Sequence, residues 1–208
     1  MALKTFVKIS TVNNLTDARY CAGMYVNQLG FNLDPTSTSA LSPEMYKQIT
    51  DWLSGVTYVG EFGNTHPDQI METLPLYPGI EVIEVTEPLH LPKLSDTGYQ
   101  IILKQFITNS SNLDNLINNA AQIKQQGVTL LLTGDAVPLT SNFTGLIAEL
   151  ASQCDVLLGF GVEADNLTEI LSITGVKGIA LQGGTEIKPG LIDFDTLADI
   201  LELLEIED

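Results

Sequence analysis

The stretch VKISTVNNLTDARY, Val7 to Tyr20, reads as one complete unit of strand, loop and helix. Val7, Ile9 and Val12 are β-branched and suit a strand, whereas Asn14 with Asp17 three residues on marks the start of a helix running through Ala18 and Ala22. Outward from this unit the same alternation recurs to the end of the chain. Short apolar runs stand at 6–10 (FVKIS), 28–33 (QLGFNL), 56–62 (VTYVGEF), 79–85 (GIEVIEV), 100–105 (QIILKQ), 129–133 (TLLLT), 155–160 (DVLLGF) and 178–182 (GIALQ). Between them lie segments with helical spacing. Ser42-Pro43-Glu44 opens one whose stripe is Met45, Ile49, Trp52 and Leu53. Another stripe, Leu113, Leu116, Ile117, Ala120, Ala121 and Ile123, ends at Gly127, a C′ glycine. A last helix is expected near 193–205, on Phe194, Leu197, Leu201 and Leu204. The fourth connection, TEPLHLPKLSDTG, carries two prolines and is the weakest helix.

Eight strands, each followed by a helical segment, predict an α/β fold: a single (β/α)₈ barrel over residues 1–208. A doubly wound open sheet would share the element order, but the strand count and regular spacing favour the barrel. Barrel enzymes keep their chemistry at the C-terminal strand ends. Those ends are Ser10, Leu33, Glu61, Val85, Lys104, Thr133, Gly161 and Gly183.

Composition narrows the function classes. The chain has 208 residues, 44% of them hydrophobic, and no apolar run of about 18 residues that would span a membrane. The N-terminal apolar stretch is too short for a signal peptide. Cys21 and Cys154 have no metal-ligand spacing and are expected to be reduced and buried, in a cytoplasmic protein. Nine Lys and Arg against 26 Asp and Glu give a net charge of −17, and Arg19 is the sole arginine. Binding to nucleic acid or anionic lipid rests on dense Lys and Arg, so neither partner is expected. His66 precedes Pro67-Asp68 and His90 lies between prolines; both read as surface residues, and no metal site is expected.

Glycines gather on the last two loops, Gly159 and Gly161 after the seventh strand, Gly183 and Gly184 after the eighth. Glycine lets backbone N–H groups approach an anion closely, and these two loops are a frequent phosphate site in barrels.

At this point the sequence resembles a family. KISTVNNLTDA (8–18), LGF (29–31), Pro35 and LSPE (41–44) are similar to the first quarter of phosphoribosylanthranilate isomerase, which reads K-I-C-G-[IL]-T-[NR]-x-x-D-A, then G-F, then P-x-S-x-R-x-[IV]-[ST]-P. VGEFGNTHPDQI (59–70) resembles V-G-V-F-x-N, Lys104 matches a lysine on strand five, GFGVEADNL (159–167) resembles G-G-L-x-P-x-N-V, and QGGTEIKPGLID (182–193) resembles S-S-G-V-E-x-x-P-G-x-K-D. The resemblance implies a cofactor-free Amadori rearrangement of a phosphoribosyl aminoaldose, with a cysteine as general base, an aspartate ending strand six as general acid, and an arginine holding substrate. Here those positions are Ser10, Thr133 and Ser39, and the family's Q-L-H-G after strand four is replaced by IEVTE (83–87).

A thiol with a pKa of about 8.5 supplies some thiolate at neutral pH, whereas a serine hydroxyl supplies essentially none without a base. Three classes follow. The first is an isomerase, weak or with relocated groups, using Asp135 or Glu61 as acid and Ser10 as a helper. The second is a different enzyme on the same barrel, using Glu61, Glu84 or Glu87 with Lys8 and Lys104. The third is a non-catalytic binder of a phosphorylated metabolite, with Lys8, Lys104 and the glycine loops as its contacts, or a protein with a purely structural role.

Overall fold

The computed structural model describes residues 2–135, 139–183, 185–188 and 191–206. Eight parallel strands close into a barrel: β1 Phe6–Ser10, β2 Gln28–Asn32, β3 Thr57–Glu61, β4 Ile80–Val85, β5 Gln100–Phe106, β6 Val128–Thr133, β7 Val156–Leu158 and β8 Gly178–Gln182. The first and last strands zip together from Phe6 beside Gly178 to Ser10 beside Gln182, which closes the ring and excludes the open sheet. All eight expected strands are present, and two match to the residue.

The helices are α1 Leu15–Gly23, α2 Pro43–Thr50, α3 Pro67–Thr73, α4 Leu91–Leu94, α5 Ser110–Gln125, α6 Ser141–Gln153, α7 Leu167–Thr174 and α8 Asp195–Leu204. Local chemistry sets several ends. The Asn14 side chain accepts the Asp17 N–H at 2.8 Å and starts α1. Ser42 does the same for Met45 at 3.2 Å, with Pro43 in the first turn of α2. Gly127 and Gly175 follow α5 and α7 at φ +66° and +60°, the left-handed conformation glycine adopts without penalty. The proline-bearing fourth connection shrinks to a single 3₁₀ turn and the four-residue α4.

One expectation is corrected here. The α2 stripe was placed on Met45, Ile49, Trp52 and Leu53, yet the buried face is Tyr46 and Ile49, while Met45 is exposed and Trp52 is 71% exposed. The helix ends at Thr50, so Trp52 leaves the helical period before it can turn inward. The connection from β8 to α8 holds a two-stranded antiparallel hairpin, β9 Thr185–Lys188 and β10 Leu191–Asp193.

Side chains alternate across each strand, so the barrel has two cores. One lies between strands and helices and includes Val7, Ile9, Phe31, Ile83, Leu103, Leu130 and Leu158. Tyr20 on α1 stacks on Phe194 ahead of α8 at 4.3 Å and joins the first helix to the last. The other core lies inside the barrel, where Val59, Val82, Ile102, Leu131, Leu157 and Ala180 form a separate buried cluster. This plug divides the interior into two ends.

Candidate functional site at the barrel mouth

One alternation step above the apolar plug, the inward positions of β1, β3, β4 and β5 are Lys8, Glu61, Glu84 and Lys104. Lys8 has no exposed surface, and its ammonium lies 2.6 Å from Glu61 Oε1 and 2.8 Å from Glu84 Oε2. It also donates to Ser10 Oγ at 2.9 Å. Lys104 stands 3.6 Å from the other Glu84 oxygen, with about a third of its side chain exposed. Glu61 and Glu84 sit side by side in register on adjacent strands, so without Lys8 two buried carboxylates would face each other.

Glu61 is bound from a second direction. Thr11 donates its N–H at 3.2 and 3.1 Å and its hydroxyl at 2.9 Å to the Glu61 carboxylate. Thr11 holds φ +56°, unusual for a β-branched residue, and occupies the position where the motif K-I-C-G has its glycine. Gly30, between Lys8 and Glu61, has no room for a Cβ, which would overlap the Glu61 carboxylate and approach Lys8 Nζ to 2.9 Å. A backbone without a side chain at this point lets the ion pair cross the barrel.

The charges fix protonation. Burial alone would lower the Lys8 pKa, but the adjacent carboxylates Glu61 and Glu84 outweigh it and hold the amine protonated, above its ordinary range. Burial would raise the Glu61 carboxyl, yet the Lys8 charge and hydrogen bond, the Lys104 charge and the Thr11 hydroxyl bring it below the ordinary carboxylate value. Lys8 is therefore no base, and Glu61 is no proton donor.

What remains open above this layer is a cleft of about 210 Å³ lined by Thr11, Asn32, Asp34, Glu61, Glu84 and Lys104, among others. Asp34 accepts from the Thr36 N–H and hydroxyl at 2.8 and 2.7 Å and from Thr65 at 3.0 Å. Burial acts to raise its carboxyl, and the Thr36 and Thr65 hydrogen bonds prevail and lower it.

The structure thus gathers Lys8, Ser10, Glu61, Glu84 and Lys104. Ser10 is only 3% exposed and meets Lys8, not a base. Thr133 ends β6 half-buried, its hydroxyl directed at Gln105 O at 3.4 Å, and it does not line the cleft. Asp135 lies exposed on the following loop, also outside the cleft lining. Ser39 accepts from the Asn32 amide at 3.0 Å and contacts Ser37 at 3.0 Å, a closed set of short polar groups. Glu87 caps the 3₁₀ turn by accepting the Leu89 N–H at 3.0 Å. His66 is exposed and caps α3; His90, expected on the surface, is half-buried against the His66 ring at 5.9 Å.

On the glycine loops, Gly161 has φ +68°, and a Cβ there would meet Leu139. Gly159 donates to Leu132 O at 2.7 Å, which commits that N–H to the sheet. Gly183 lies against the Asp17 carboxylate, which occupies the space a Cβ would need. Gly184 lies outside the described residues. Among the described residues no cluster of His, Cys, Asp and Glu is placed to hold a metal. Cys21 and Cys154 are both free and buried, as expected. Sequence reasoning missed Thr11 and Gly30; the available signal was a threonine at the motif's glycine position.

No family model matches the chain. It is 26% identical to N-(5'-phosphoribosyl)anthranilate isomerase of Gloeothece citriformis (strain PCC 7424), over 95% of this chain and 93% of that one. It is 25% identical to the enzyme of the same name from Chlorobium phaeobacteroides, over 90% and 91%. A crystal structure of phosphoribosyl anthranilate isomerase in complex with reduced 1-(o-carboxyphenylamino)-1-deoxyribulose 5-phosphate superimposes with a TM-score of 0.75 at 21% identity, over 95% of this chain and 97% of that one. The chain is thus similar along its whole sequence to N-(5'-phosphoribosyl)anthranilate isomerases and shares the closed barrel of the solved structure.

Proposed function

We propose that this protein is a phosphoribosylanthranilate isomerase-like barrel whose activity in the family reaction, the Amadori rearrangement of N-(5-phosphoribosyl)anthranilate in tryptophan biosynthesis, is weak or lost. The observation that carries this reading is the environment of Ser10. Its hydroxyl is buried and accepts a hydrogen bond from a lysine held between two carboxylates, so nothing beside it removes its proton. The acid position is Thr133, and Glu61 is held ionised by Lys8 and Thr11. General acid and base groups each contribute roughly 10² to 10⁴ in rate, so loss of either leaves a small residue of activity. Ser39, at the arginine position, has no fork of donors for a substrate anion.

The retained role is binding of a phosphorylated small molecule in the cytoplasm, without a cofactor, nucleic acid or membrane partner. The related crystal structure holds a sugar phosphate, and Gly161 keeps a glycine-type backbone on the loop after β7. The loops Gly159–Val162 and Gly183–Thr185 are the proposed phosphate contacts rather than the mouth cleft, where Lys104 meets the carboxylates Asp34, Glu61 and Glu84; Lys8, expected as a ligand contact, is wholly buried between Glu61 and Glu84 and does not line the cleft. A second reading, a different enzyme on this barrel, draws support from Glu61, Glu84 and Lys104 meeting around the cleft.

Complementation of a tryptophan auxotroph lacking the isomerase, with a fluorescence assay in vitro, tests the main reading. The expected result is no growth and turnover lower by at least about 10² than an isomerase with an intact K-I-C-G. Near-normal turnover would overturn it. Titration with ribose 5-phosphate, followed by amide shifts, tests the binding reading; unchanged signals from both loops would remove it.

A further inference from the structure

Outside the mouth, between the turn that follows β4 and the first half of α5, lies a groove of about 260 Å³. Its lining carries no charged residue, in a chain of net charge −17, and combines apolar surface with side-chain amides. Phe106, at the end of β5, is 55% exposed there and supplies an aromatic ring. The amides are those of Gln105, Asn112, Asn115 and Asn119. The last three stand at i, i+3 and i+7, one face of α5 over roughly 10 Å. Asparagine is a poor helix former that favours caps. Asn112 does serve the cap of α5; Asn115 and Asn119 lie deeper in the helix, exposed, with no such role.

Internal hydrogen bonds hold one end of three of these amides and leave the other to face outward. Asn112 Oδ1 accepts from the Thr108 N–H and hydroxyl at 2.9 and 3.0 Å and from the Asn109 N–H at 3.1 Å, which leaves its Nδ2 to donate. Gln105 Nε2 donates to Thr86 O at 3.0 Å and to Lys104 O at 2.8 Å, which leaves its Oε1 to accept. Asn119 Nδ2 donates to Asn115 O at 2.7 Å, which leaves Oδ1 to accept. The groove therefore offers donors and acceptors in fixed orientations beside an exposed ring, so little ordering is required on binding.

We propose that this groove binds a neutral monosaccharide. A pyranose has an apolar C–H face that packs on the negative face of Phe106, and hydroxyls around its rim that each donate and accept. A planar heterocycle matches the ring but presents fewer donor and acceptor groups to a row of amides. A phosphorylated sugar would find no cation in the lining. The volume lies below the roughly 300–1,000 Å³ of drug-sized sites, which suits one small ligand. No lining residue is shared with the mouth cleft, so the site is independent of the function proposed above.

The test is titration of the isotope-labelled protein with glucose, galactose and mannose, with uracil as a planar probe. The expected result is saturable shifts at the amides of Phe106, Ile107, Asn115 and Asn119 with at least one sugar, weaker or none with uracil, and none at Thr11 or Asp34 in the mouth. Phe106→Ala and Asn115→Ala change exposed side chains and leave the core intact. Each should weaken binding at least about threefold, by loss of the ring face and of an amide partner. Trp52→Ala, an exposed aromatic outside the groove, should leave binding unchanged. Absence of saturable shifts with all three sugars, an equal response to uracil, undiminished binding in either groove variant, or an equal loss in the Trp52 variant would each overturn the proposal.

Discussion

The two ends of this barrel each carry a lysine–carboxylate pair at 2.6 Å, and the pairs have little else in common. At the mouth, Lys8 is wholly buried and shared between Glu61 and Glu84, with Ser10 and Thr11 completing the bonds. At the opposite end, Lys177 and Asp155 are 40% and 59% exposed beside an open cavity. In the first setting the lysine is indispensable, because removing it leaves two neighbouring carboxylates out of water; in the second, solvent replaces either partner. The contrast shows where the fold has spent its polar groups. The end at which barrels keep their chemistry is packed with mutually satisfied charge, and the end ordinarily packed with apolar side chains is open.

The largest expected effect is that of Lys8→Met. It should destabilise the fold by about 3–5 kcal/mol, the cost of stranding buried carboxylates. Urea denaturation of this variant beside Lys177→Met is the direct comparison, and equal midpoints for the two would erase the distinction between the ends.

The same network predicts the pH profile. Glu61 has a folded pKa below its ordinary 4.5, so its stabilising contribution is present above that value and is lost as pH falls through the folded value. Lys8 titrates above 10.5 in the fold; its contribution is full below 10.5 and is lost as pH rises through the folded value. Burial also raises the thiols of Cys21 and Cys154 from 9.0 to about 12 and about 11, so their contribution begins to fade above pH 9.0. Stability should therefore be greatest between about pH 5 and 9. Glu61→Gln should flatten the acid limb, as measured by thermal unfolding across pH; an unchanged limb would place the acid sensitivity elsewhere.

Gly30→Ala should cost about 1–3 kcal/mol, since the new methyl displaces the Glu61 carboxylate. Gly23→Ala at the end of α1, where a Cβ meets nothing within 4 Å, serves as the control and should be neutral or slightly stabilising. A Gly30 variant as stable as the Gly23 variant would show that the ion pair has freedom to move. The smallest effect belongs to Lys177→Met, about 0.2–1 kcal/mol, reduced further by salt because both partners are exposed.

Much of the fold was legible in local chemistry. FVKIS and GIALQ match their strands to the residue, and Asn14, Ser42 and Gly127 mark helix ends where expected. The hairpin after β8 was not, because its two short strands carry no apolar alternation distinct from a loop. Trp52 was misplaced because a helical stripe says nothing of where the helix stops. Lys8, Glu61, Glu84 and Lys104 could each be singled out as polar residues near strand ends. Their partnership could not, since Lys8 and Glu61 stand 53 residues apart and meet only across a closed ring. Gln28, Thr57, Gln100 and Thr129 lie within or beside the quoted apolar runs, and their common inward depth, two residues before Val59, Ile102 and Leu131 on three of the strands, emerges only with the barrel's register.

By itself the sequence determined the alternation of strands and helices, the family resemblance, and the residues that stand at that family's motif positions, Ser10, Thr133 and Ser39, because these rest on residue identity and short-range spacing. Only the tertiary structure decided which charges share a bond, which end of the barrel is filled and which is open. Those outcomes depend on ring closure and on what stands a few ångströms across the interior, where two carboxylates hold a buried lysine as a fixed cation and an ordinary glutamine, Gln28, is left with its Oε1 unpaired.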